Sequence, residues 1–151
     1  MKNPKDKTII HYCIAVLFFV MAPAFGAEMK PWDGQQALSL AEDLYSASRD
    51  LNKECRQSPK YGLDSTGPNS HLEFRYHVKH FVSVTRQLVE ALENGESRAE
   101  TQPIYDESVQ IINDLNRYAG GENPIAWPLV VNATSKAGKI LTELGAYYAT
   151  K

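Results

Sequence analysis

The chain is poor in the residues that would decide its chemistry at a glance. Two cysteines stand in 151 residues, Cys13 and Cys55, so a disulfide framework of the kind that staples small exported folds is excluded. Basic residues are not in excess: 16 Lys and Arg stand against 18 Asp and Glu. Without a positive field to displace phosphate counterions, nucleic-acid binding is excluded as a function. No Gly-x-Ser-x-Gly elbow, Cys-x-x-Cys-His haem site or glycine-rich phosphate loop occurs, and Gly120-Gly121 runs into Glu122 and a proline. The Glu-x-x-His pair that di-metal bundles repeat on two helices is missing, because Glu73 precedes His77 by four positions and has no second copy. Nor is there a run of period-2 alternation, which removes the sheet classes.

A long apolar run occurs once, at the start. Lys2, Lys5 and Lys7 precede an apolar stretch from Ile9 to Val20, and Met21 to Ala27 then supplies small residues. This is the layout of a secretory signal peptide. Cleavage after Gly26 puts Ala24 at −3, and cleavage after Ala24 is nearly as good. The competing reading is an uncleaved anchor, since Ile9 to Phe25 is 17 residues, close to the shortest spanning helix. Pro23 and the small residues favour removal. Residues 1–26 are therefore expected to be lost and 27–151 to form the mature domain, periplasmic or secreted, with no stable membrane span after cleavage. The leader's net +2 leaves the remainder at −4. Cys13 leaves with it, and Cys55 becomes a lone thiol: either buried as a small hydrophobe or paired with its counterpart in an intermolecular disulfide that would make a homodimer.

What the mature segment does have is helical periodicity. Ala37, Leu40, Ala41, Leu44, Ala47, Ser48, Leu51 and Cys55 recur at spacings of three and four, with Asp33 as N-cap. Ser58 to Asn69 is a Pro/Gly/Ser/Asp-rich loop. A capping box, Ser70 to Glu73, opens a second helix with the stripe Phe74, Val78, Phe81, Thr85, Leu88 and Leu92, and Asn94-Gly95 stops it. A third helix follows from Thr101, with Pro103 in its first turn, carrying Tyr105, Ser108, Val109, Ile112 and Leu115 on one face. A fourth starts at Trp127 or Pro128 and buries Val130, Ala133, Ala137, Ile140, Leu141, Leu144 and Tyr148. The spacing predicts an all-α, antiparallel up-down four-helix bundle with helices at about 34–56, 70–94, 101–119 and 127–149.

Two function classes remain open. The aromatics Trp32, Tyr61, Trp127 and Tyr147 fall near element ends and predict an aromatic pole, with Tyr61 and Trp127 as partner-binding residues. On this reading the protein is a non-enzymatic binding module of the cell envelope for a protein or small ligand, with no cofactor. The alternative rests on Glu73, His77 and His80, which share an arc of about 60° on the second helix and would supply part of a shell for a divalent transition metal, zinc or copper. Arg75, Lys79 and Arg86 read as a solvated face.

Overall fold

The computed structural model describes residues 29–57, 71–120 and 128–149; the expected signal peptide 1–26 with its expected cleavage site, the expected loop 58–69, Ser70, Tyr61 and Trp127 lie outside the described residues. Four helices make up the described chain, with no strand among its residues: α1 Gly34–Gln57, α2 His71–Glu93, α3 Arg98–Gly120 and α4 Pro128–Tyr148. Lengths of 21 to 24 residues give cylinders of about 32–36 Å, matched closely enough to lie side by side.

Local chemistry sets the ends. Asp33 Oδ1 accepts from the backbone N–H of Gln35 (3.0 Å) and Gln36 (3.1 Å), which caps α1 as expected. α2 closes with Gly95 at φ 77°, its N–H on the Leu92 carbonyl and the Glu96 N–H on that of Ala91. This paired closure needs the left-handed conformation that glycine adopts without penalty.

α3 departs from expectation. It begins at Arg98, three residues before Thr101, because Ser97 and Glu100 form a capping box: the Ser97 N–H donates to Glu100 Oε2 at 2.7 Å and the Glu100 N–H to Ser97 Oγ at 3.4 Å. Pro103 is therefore the sixth helical residue and not a first-turn one, and it has no N–H to give the Ala99 carbonyl. α4 begins at Pro128, where a missing N–H costs nothing.

α1 packs on α2 and α4, and α3 on the same two, so the helices form a ring in chain order. Named contacts fix the directions. Cys55 near the end of α1 feels the charge of Arg75 near the start of α2, while Ser48 meets Thr85 farther along. Thr101 at the start of α3 bonds Tyr148 at the end of α4, and the Lys30 N–H before α1 reaches the Ala146 carbonyl. Neighbours therefore run antiparallel. The core holds Leu44, Leu51, Phe74, Phe81, Leu88, Ile112, Leu115, Leu141 and Leu144, all under 2% exposed. Every described position of the α1 and α2 stripes is buried except Leu40, which is half-buried. No described helix is long and apolar enough to cross a membrane.

Candidate functional site

Of the aromatics expected at one pole, Trp32 and Tyr147 fall at the end where α1 starts and α4 finishes, and Tyr61 and Trp127 lie outside the described residues. Trp32 and Tyr147 serve the fold. Trp32 meets Tyr148 edge-on with centroids 5.3 Å apart, Tyr148 stacks on Tyr105 at 4.4 Å, and Lys30 lies over the Tyr147 ring. The Tyr148 hydroxyl donates to Thr101 Oγ1 at 2.7 Å, and the Arg98 guanidinium donates to the Tyr148 carbonyl at 3.0 Å. These ties lock the C-terminus of α4 to the N-termini of α1 and α3.

One described surface is not accounted for by the core. On α2, Tyr76 is 66% exposed, more than any other large apolar or aromatic side chain described. Its ring lies 5.9 Å from that of His77 and 6.1 Å from that of His80. His80 turns toward α3, where its Nε2 lies 3.2 Å from Glu107 Oε1; the two side chains are 39% and 47% exposed. An accessible aromatic thus sits beside an imidazole–carboxylate pair that bridges two helices. Such a patch offers a flat apolar surface with a hydrogen-bonding rim, the composition that favours docking of a partner.

The three residues expected to share a metal, Glu73, His77 and His80, do not form a ligand cluster: no group of three or more His, Cys, Asp or Glu able to hold an ion occurs among the described residues. The carboxylate that meets His80 is Glu107, from the facing helix. No spacing within α2 could have signalled it, because periodicity reports faces and not neighbours.

Cys55 is 3% exposed and free. Burial pushes its thiol up to about 11, with Arg75 pulling it down and Glu54 adding to the rise. At neutral pH it is a protonated thiol and a poor nucleophile. The cation it feels comes from α2, not from Lys53 or Arg56 beside it in sequence. No family model matches the chain, and neither a curated protein nor a solved structure matches it.

Proposed function

We propose that this protein is an exported, non-enzymatic helical bundle that binds a partner in the cell envelope through the α2–α3 face centred on Tyr76. The N-terminal Lys2 to Ala27 segment supports export to the periplasm or beyond, with cleavage after Gly26. The observation that carries the binding reading is the 66% exposure of Tyr76 beside His80, on a domain whose other described aromatics are engaged in packing. Tyr61 and Trp127 are proposed as further contacts.

The test is a photo-crosslinking amino acid placed at position 76 in the chain expressed in its own host, with position 139 on α4 as control. Adducts of one defined mass at 76 and none at 139 are expected. Equal labelling at both positions, or none at 76, 61 or 127, overturns the reading. Intact mass of the exported protein reports cleavage in the same experiment: a chain beginning at residue 27 agrees with export, and a retained leader does not.

A second reading, transition-metal binding, is favoured by one distance. The 3.2 Å between His80 Nε2 and Glu107 Oε1 is close to the edge of a tetrahedron, about 3.3 Å, for zinc–ligand bonds of about 2.0 Å. No third described His, Cys, Asp or Glu groups with this pair to hold an ion, so the rest of the shell would come from a second subunit. Calorimetric titration with zinc is expected to give saturable binding, lost in His80→Ala and Glu107→Gln. Indifference of the wild type to zinc and copper removes this reading.

A further inference from the structure

The glycine that closes α2 also makes the residue before it reactive. Asn94 is the one asparagine of the chain that is followed by glycine. An asparagine amide is an electrophile within reach of the next residue's backbone nitrogen. A side chain on that next residue shields the nitrogen, and glycine has none. Gly95 is required where it stands, because its φ of 77° lies in the left-handed region. A Cβ built there would meet nothing within 4 Å, and residues 93–97 are all exposed, so water reaches the turn freely. Asp33–Gly34, the one aspartate–glycine pair, is not equivalent. Asp33 offers a carboxylate in place of an amide, a far poorer electrophile, and its Oδ1 already accepts from the N–H groups of Gln35 and Gln36.

The folded turn withholds the reaction. Attack needs the Gly95 nitrogen stripped of its proton and swung to face the Asn94 side chain. In the closed turn that N–H donates to the Leu92 carbonyl at 3.0 Å. Its neighbours hold the same arrangement: the Asn94 N–H donates to the Glu90 carbonyl at 3.1 Å and the Glu96 N–H to the Ala91 carbonyl at 3.0 Å. Rotating the Asn94 Cα–C bond until the Gly95 nitrogen faces Cγ carries that nitrogen off the Leu92 carbonyl and takes Glu96 with it. The Gly95 and Glu96 bonds must therefore break before a ring can close. Opening of this kind at an exposed helix end costs far less than global unfolding.

We infer that Asn94 is a site of spontaneous chain modification, gated by opening of the turn that joins α2 to α3. In the open turn the Gly95 N–H proton passes to water and the freed electron pair of the nitrogen bonds to Asn94 Cγ. The Cγ–Nδ2 bond breaks, and Nδ2 takes up a proton and leaves as ammonia. The product is a cyclic imide. Water then adds to either of its carbonyl carbons, and the C–N bond at that carbon breaks. Addition at Cγ leaves aspartate in an ordinary backbone; addition at the backbone carbon leaves isoaspartate, whose main chain runs through Cβ and Cγ. The change is one-way, and both products weaken the closure. Aspartate adds a carboxylate beside Glu90, Glu93 and Glu96, all exposed at the negative end of α2. The described ion pairs supply one cation there, Arg86, bonded to Glu90 at 2.7 Å. Isoaspartate lengthens the main chain by one atom inside the span that the Gly95 and Glu96 bonds close. Each molecule thereby keeps a record of its own openings. The inference depends on neither reading of the Tyr76 face.

Peptide mapping of the purified protein, incubated at mildly alkaline pH both folded and in denaturant, tests it. In denaturant Asn94 is expected to be the first asparagine to exchange its amide for a carboxyl. In the folded protein the same change is expected to run at least about tenfold more slowly, because only the open fraction reacts. Denaturant added below the unfolding transition should raise modification at Asn94 and hydrogen exchange at the Gly95 amide by the same factor, since both need that one N–H released. The isoaspartate fraction, separated by chromatography, should melt about 4 °C or more below the unmodified protein. Asn94→Gln, whose extra methylene disfavours the ring, should stay unmodified and melt with the wild type. A folded protein modified as fast as the denatured one, modification and exchange that rise independently, another asparagine that reacts first in denaturant, or an isoaspartate fraction as stable as the parent overturns the inference.

Discussion

Ser48 Oγ lies 2.9 Å from Thr85 Oγ1 across the seam of α1 and α2, and both side chains are fully buried among apolar neighbours. Two hydroxyl protons serve four contacts here, since Ser48 Oγ is also 2.7 Å from the Tyr45 carbonyl and Thr85 Oγ1 is 2.9 Å from that of Phe81 and 3.2 Å from that of Val82. One proton passes between the hydroxyls and the other goes to a carbonyl on its own helix. Either partner removed leaves the survivor with a backbone acceptor, so neither substitution strands a donor. Ser48→Ala and Thr85→Val are each expected to cost about 1 kcal/mol. In a denaturation double-mutant cycle the pair should couple by about 0.5–1 kcal/mol. Strict additivity would mean that the cross-helix bond contributes nothing.

The capping box at the head of α3 gives a second expectation. Ser97 and Glu100 satisfy each other's backbone N–H, and the bonded carboxylate is held below its usual range by the Ser97 hydroxyl and N–H. Ser97→Ala should destabilise the fold by about 1 kcal/mol, whereas Ser97→Asp, which keeps an acceptor at the cap, should lose less. Chemical denaturation at neutral pH separates the two variants.

Alkaline pH should weaken the protein in a defined window. Burial pushes Tyr105 up to about 12 and Cys55 up to about 11, and raises Tyr148 as well, partly opposed by the hydrogen bond to Thr101. All three are neutral when protonated, and the unfolded chain loses these protons at lower pH than the native one. Their stabilising contribution is therefore complete below about pH 9 and lost as pH rises toward 12. Cys55→Ala should remove the part between pH 9 and 11, and Tyr105→Phe the part above 10, in stability measured against pH. For the same reason Cys55 in the native protein should resist a disulfide reagent at pH 8 and react on unfolding.

How far the sequence carries this structure is best seen helix by helix. On α1 the apolar spacing from Ala37 to Cys55 identifies the buried face directly, since a single amphipathic helix buries what its own periodicity presents. α3 is less legible because two signals conflict: Pro103 suggests a first turn near it, while Ser97-Arg98-Ala99-Glu100 spells a cap six residues earlier. The cap prevails, as its hydrogen bonds are satisfied outright and an exposed proline in the second turn forfeits only one. The candidate site is least legible of all. His80 finds Glu107 and Cys55 feels Arg75 because antiparallel packing sets them level, and no pattern within one helix encodes that.

The two glycines of α4 should respond oppositely to the same substitution. Around Gly138 an added Cβ would meet nothing within 4 Å. Gly138→Ala should therefore stabilise the fold by up to about 1 kcal/mol, the cost of glycine within a helix. At Gly145 an added Cβ would stand 2.5 Å from the Tyr105 hydroxyl oxygen and 3.6 Å from the ring carbon that bears it. Tyr105 has little room to yield: its ring is stacked on Tyr148 and its hydroxyl donates to the Leu141 carbonyl at 3.3 Å. Gly145→Ala should then cost about 1–3 kcal/mol, as overpacking does in a filled core. The clash is with one oxygen atom, because the carbon distance is ordinary contact. Tyr105→Phe removes that oxygen at the expense of a long hydrogen bond, so the double variant Gly145→Ala, Tyr105→Phe should regain most of the loss. Thermal denaturation of the four α4 and Tyr105 variants decides it: failure of the phenylalanine to rescue would show that Gly145 is required for backbone approach and not for the tyrosine hydroxyl.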